Sequence, residues 1–237
     1  MKSTLFLSAT LVTALVSGCG DNKTTEKSAS TTTETTAANA KADSTKMAGM
    51  SPGESTSTAA TGSLTGAMAK MMQQMNATKM IGNTDHDFSH MMIAHHQGAI
   101  DMSEVELRDG QDATLKAMAQ QTVADQKKEQ ADFDKAADRL DGAAKNYSPK
   151  DPNDKFQAGL DAGMKAQMMP MTPTGNVDMD YAMMMLTHHK AAVVMSKAEV
   201  ASGKDPEAKK MAQMGIDKQT KEIQDLQDWM AKNGGKM

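Results

Sequence analysis

Across 237 residues, 26 basic and 30 acidic side chains leave a net charge of −4. The two signs are interspersed, so there is no basic footprint of the kind that binds nucleic acid. Aromatic residues make up only 3%, too few for a base-stacking surface or a large β-sandwich core, and 25 methionines supply the bulk instead.

The chain opens on a secretory signal, residues 1–18. Lys2 gives a positive start, Leu5 to Val16 form an apolar run too short to span a bilayer, and small residues precede Cys19. As the only cysteine, Cys19 cannot form an internal disulfide; a free thiol, an intermolecular bridge and an acylation site are the readings open to it. The stretch LVSGCG resembles a bacterial lipobox, which implies that Cys19 is the lipidated first residue of the mature chain. Contact with a membrane is then expected only through that anchor, in the periplasm or at the cell surface (the outer membrane in a Gram-negative cell). Residues 19–63 are dominated by Thr, Ser, Ala, Lys and Glu. They carry too little apolar surface to offset the entropy of ordering and read as a tether.

Residues 64–237 suit a single domain, and they contain the same passage twice. DFSHMMIAHHQGAIDMSEVE at 87–106 returns as DYAMMMLTHHKAAVVMSKAE at 180–199, a shift of 93 residues (180 − 87 = 93) without a gap. The shift also superposes Gly82-Asn83 on Gly175-Asn176, Asp112 on Asp205, Met118 on Met211 and Glu129 on Glu222. Two tandem copies, 64–144 and 157–237, thus fill the folded part.

In chain order, Met68, Met71, Met72 and Met75 predict a short helix. A long helix follows Asp85 or Asp87 as N-cap, runs to about Leu107 and ends at Gly110. A second long helix starts at Asp112 and ends near Gly142. The second copy repeats the order: a short helix with Leu160, Met164 and Met168, a long one ended by Gly203, and another from Asp205-Pro206-Glu207 to Gly234. No β-branched alternation interrupts these segments. The expectation is an all-α protein, a four-helix bundle built from a tandem duplication of helical hairpins.

On a helix of about 100° per residue, Met92, Ala99, Ser103 and Glu106 share one stripe, as do Met185, Ala192, Ser196 and Glu199. Adjacent histidines diverge by the same angle, so His95 and His96 do not chelate one ion together. Each has a methionine one turn earlier: Met91 with His95 and Met92 with His96, then Met184 with His188 and Met185 with His189. Met102 and its match Met195 lie two turns beyond His95 and His188. A methionine stripe is ordinarily core, which is the reading given to Met118, Met211 and Met230. Two His-His pairs each preceded by Met-Met are different, because buried imidazoles are costly unless their nitrogens have partners. Thioether with imidazole and no thiolate suits Cu(I) and, by analogy, Ag(I), in a compartment where cysteine would oxidise. Asp87, His86 and His90 form a local nitrogen/oxygen cluster that offers a further place for Cu(II).

At HDFSHMMIAHHQGAIDM and DYAMMMLTHHKAAVVM the chain resembles the CopM-like family of bacterial secreted proteins. His90, His95, His96 and Met102 carry the resemblance in the first copy. His188, His189 and Met195 carry it in the second, where Met183 stands in place of the early histidine. The resemblance implies a ferritin-like bundle, extracytoplasmic copper binding and copper tolerance, with a periplasmic copper-handling protein as partner. The expected function is a non-catalytic lipoprotein that sequesters or transfers copper. Two alternatives are a methionine-rich envelope stress lipoprotein without metal and a ferritin-like metal oxidase. The oxidase is disfavoured because no Glu has a His three residues later.

Overall fold

The computed structural model describes residues 63–168 and 171–234. The signal segment, Cys19 and the tether up to residue 62 lie outside the described residues. The described residues form six helices and no strand: α1 (Leu64–Ala77), α2 (Thr84–Asp109), α3 (Ala113–Leu140), α4 (Lys155–Gln167), α5 (Val177–Ser202) and α6 (Pro206–Asn233). None of them is long and apolar enough to cross a membrane.

Helix starts follow from local polar chemistry. Asp112 and Asp205 cap α3 and α6 as expected, each accepting from two backbone N–H groups of the first turn. The long helices α2 and α5 begin one turn earlier than Asp85 and Asp87 suggest. Their caps are Asn83, which accepts from His86 N at 3.1 Å, and Asn176, which accepts from Met179 N at 2.9 Å. Gly82 and Gly175 precede them at φ +91° and +84°, a conformation that a residue with a Cβ rarely adopts.

Asp85 and Asp178, freed from capping their own helices, tie the other repeat. Asp85 accepts from Lys204 N and Asp205 N at 2.8 and 2.7 Å, in the turn between α5 and α6. Asp178 accepts from Gln111 N and Asp112 N, both at 2.8 Å, in the turn between α2 and α3. Each hairpin turn is therefore held by a carboxylate from the other hairpin. That reciprocity requires α2 and α5 to run antiparallel across an approximate two-fold axis, in the manner of a symmetric dimer.

Gly110 and Gly203 end α2 and α5, but not in the left-handed conformation usual for a terminating glycine. Their φ values are −65° and −58°. Glycine is needed there because an added Cβ would collide with the carboxyl of Glu106 or Glu199, which folds back beneath the turn.

Helices α2 and α5 form the centre of the four-helix bundle. Helices α1 and α3 pack on α2, and α4 and α6 pack on α5. Two apolar clusters fill the space between them, one around Met102, Leu115, Tyr181 and Met185, the other around Met71, Phe88, Phe133 and Met195. Helices α3 and α6 scarcely meet, and the clefts described next open between them.

Candidate metal centre

The two histidine pairs sit at the middle of α2 and α5, where the approximate two-fold axis passes. His95 and His188, matched positions of the repeat, face each other with ring centroids 3.6 Å apart and planes at 33°. Both are fully buried. His188 Nε2 donates to the backbone carbonyl of His95 at 2.9 Å, which leaves His188 Nδ1 as a bare acceptor. Burial, with the neighbouring imidazoles, pushes both residues well below the ordinary histidine range. They are neutral rings, the form that ligates metals.

The other member of each pair turns outward. His96 Nε2 donates to Glu129 Oε2 of α3 at 3.0 Å, and His189 Nε2 lies 3.3 Å from Glu222 Oε2 of α6. The hydrogen bond to Glu129 fixes the tautomer of His96, as a carboxylate does behind a metal-ligating histidine, whereas Glu222 Oε2 makes no hydrogen bond among the described residues. Nδ1 of His96 and Nδ1 of His189 are buried and have no hydrogen-bond partner among the described residues. Neither nitrogen of His95 has one either. Unpartnered buried nitrogens cost roughly 1–3 kcal/mol apiece and call for a reason such as a bound ion.

Each outward histidine lines a cleft with the methionine one turn before it. The first cleft, a cavity of about 110 Å³, is lined by Met92, His96, Glu129, Phe133, Met211 and Met214 among others. The second, about 240 Å³, is lined by Met118, Tyr181, Met185, His189, Glu222 and Leu226 among others. The repeat shift relates Met92 to Met185, His96 to His189, Glu129 to Glu222 and Met211 to Met118. The clefts are thus two versions of one imidazole–thioether site, each drawing its outer methionine from the other repeat.

Their electrostatics differ at one position. Lys218 Nζ bridges Asp125 Oδ2 and Glu129 Oε1, both at 2.8 Å, whereas the residue matching Lys218 in the first copy is Asp125 itself. Burial works against charge on Glu129, but the His96 hydrogen bond and Lys218 hold it down at about 2. Glu222, with no such bridge, is pushed up by burial to about 7. His189 is lowered by burial to about 4.

The remaining expected site residues lie elsewhere. Met102 and Met195 are fully buried in the apolar clusters and line neither cleft. Met91 packs beside Phe88 and Phe133, and Met184 lines a groove with Met68, Met72 and Met168. His90 is half-buried, its ring centroid 4.5 Å from that of His86. The cluster suggested for Cu(II) is engaged in the fold. His86 faces Asp87 Oδ1 at 2.8 Å and Asp141 Oδ1 at 3.4 Å, and Asp87 also accepts from two backbone N–H groups and from Tyr147. Among the described residues no group of three or more His, Cys, Asp or Glu side chains is arranged to hold a metal ion.

Sequence reasoning missed Glu129, Glu222, Met118, Met211, Met214 and Lys218. All except Met214 and Lys218 are repeated between the copies, and that repetition was the available signal.

The family described as a domain of unknown function (DUF305) matches residues 17–137 and again residues 85–230. Among solved structures, "CopM in the apo form" is 26% identical, with a TM-score of 0.48 over 62% of this chain and 96% of that one. "CopM in the Cu(I)-bound form" is 27% identical, with the same TM-score and the same coverage. "Crystal structure of putative secreted protein DUF305 from Streptomyces coelicolor" is 23% identical, with a TM-score of 0.49 over 65% of this chain and 96% of that one. No curated protein sequence matches the chain.

Proposed function

The chain belongs to the DUF305 family, and from that premise we propose that it is a non-catalytic extracytoplasmic lipoprotein, anchored through Cys19, that sequesters or hands on copper. The ion is Cu(I), with Ag(I) accepted by the same donors, and the consequence for the cell is copper tolerance. One observation carries the reading: the buried, unpartnered Nδ1 atoms of His96 and His189, two residues that each line a cleft together with methionine.

The chemistry follows from the donor set. Imidazole and thioether are neutral and soft, and they match a soft monovalent ion better than a hard divalent one. Glu129 stands behind His96 and orients its ring through a hydrogen bond, and Glu222 lies 3.3 Å from His189 in the matching place. Met92 and Met185 are almost wholly buried, so a bound ion is screened from water and oxidant and is released only to a partner that supplies competing soft ligands. A periplasmic copper-handling protein with exposed thioether or thiolate donors fits that role.

X-ray absorption of the Cu(I)-loaded protein tests the donor set. The expected spectrum contains both nitrogen and sulfur scatterers, and the Met92→Leu/Met185→Leu double variant loses most of the sulfur component. A first shell of oxygen and nitrogen alone contradicts the assignment.

A further inference from the structure

Among the described residues the large apolar side chains left exposed are Met168, Val194 and Met214, the last at 60%. Met214 stands at the mouth of the first cleft. Behind it along α6, one helical turn away, comes the half-buried Met211, and at the floor lie Met92 and His96, 2% and 1% exposed. Methionines thus line the cleft at every depth, from exposed Met214 to Met92 beside buried His96. A single exposed methionine needs no explanation by itself, but one placed at the end of such a series does.

The repeat supplies an internal control. Shifting Met214 back by 93 residues gives Gln121, which lines the second cleft together with Met118, Met185 and His189. The inner donors are kept in both clefts, whereas a soft donor at the mouth exists only in the first. Gln121 offers amide oxygen and nitrogen, which compete poorly for a soft ion.

We propose that the first cleft is the route by which a soft monovalent ion enters the protein: Met214 captures it at the surface, Met211 carries it inward, and Met92 and His96 receive it. The proposal rests on the copper-binding reading and adds to it a direction of entry and an inequivalence of the two halves. Each exchange along the route is between neutral donors, thioether for thioether and finally the imidazole of His96, so no step requires oxidation or reduction.

Stopped-flow transfer of Cu(I) from its bicinchoninate complex to the intact protein, read as loss of the dye's absorbance, tests the route. Met214→Leu keeps the bulk of an exposed side chain and removes the sulfur. It is expected to slow loading about tenfold, within the range over which association rates vary among variants of one site, while the final occupancy stays that of the wild type. Adding Gln121→Met to that variant is expected to restore part of the rate by opening the second cleft. Wild-type protein that takes no Cu(I) from the dye overturns the underlying reading. Wild-type binding with an unchanged rate in Met214→Leu overturns the entry route alone, as does a Met214→Leu variant whose rate is unchanged and whose final occupancy falls.

Discussion

Replacing Asp87 with alanine is expected to destabilise the bundle by about 3–5 kcal/mol, the range for removing one partner from a buried charged network. Asp87 is fully buried. Its Oδ1 accepts from Ile81 N at 2.9 Å and faces His86 Nδ1 at 2.8 Å, and its Oδ2 accepts from Gly82 N at 2.9 Å and Tyr147 Oη at 2.7 Å. The carboxylate thereby joins the approach to α2, the first turn of α2 and the connection after α3. Alanine strands two backbone donors and a phenol in the interior, and each stranded group costs roughly 1–3 kcal/mol. Asp180, the matched residue, accepts among the described residues from the N–H and hydroxyl of Thr174, so Asp180→Ala is expected to cost about 1–2 kcal/mol. Urea unfolding followed by far-ultraviolet circular dichroism compares the two. Equal losses contradict this account of the hub.

Stability is also expected to fall as the medium becomes alkaline, because two buried carboxyls are held protonated. Glu199 is pushed up to about 9, first by burial and then by Asp85. Glu106 is pushed up to about 8, first by burial and then by Asp178. The oxygens of Asp85 and Asp178 accept backbone N–H groups of the opposite turn, so the proton in each pair resides on the glutamate. The charged groups facing the pairs are Lys209 and Asp205 at Glu199, and Lys116 and Asp112 at Glu106.

A carboxyl whose folded value is raised contributes stability that is complete below its unfolded value near 4.5, and that contribution is lost as pH rises through the folded value. Each carboxyl loses at most about 1.4 kcal/mol per pH unit until its folded value is reached, so between pH 6 and pH 9 the two together lose up to about 7 kcal/mol, less whatever solvent screens, and the fall levels off above pH 9. Glu199→Gln keeps a donor for Asp85 without the ionisation and is expected to flatten the upper part of that profile. An unchanged profile in the variant, or a wild type most stable at pH 10, contradicts the assignment.

Both effects come from residues whose type was visible in the sequence and whose role was not. The 93-residue shift and the turn residues made two helical hairpins legible, and the 3.6-residue period placed Met92, Ala99, Ser103 and Glu106 on a buried face, as the fold has them. Asp85 and Asp87 were legible as helix-start residues, but Asn83 takes the cap. Only the tertiary arrangement shows that Asp85 serves the turn before α6.

The divergence of adjacent histidines follows from helix geometry, and the two rings have different neighbours: His95 faces His188 and His96 faces Glu129. The meeting of His95 with His188 depends on where α2 and α5 cross, which no local pattern encodes. Glu129 stands 33 residues from His96 and was visible only as an identity between the copies. Met211 was assigned to packing, because a methionine on an amphipathic helix reads as core until its cleft is known.

In the proposed function, the imidazole and thioether groups of α2 and α5 hold Cu(I). Anaerobic titration of Cu(I) against bicinchoninate, with the wild type beside a His95→Leu/His96→Leu/His188→Leu/His189→Leu variant, tests it most directly. Leucine fills the space of the rings in a buried apolar setting, and circular dichroism confirms that the helices persist. The wild type is expected to withdraw Cu(I) from the dye and the variant to leave it there. A wild type that takes no Cu(I), or a folded variant that competes as well as the wild type, contradicts the claim.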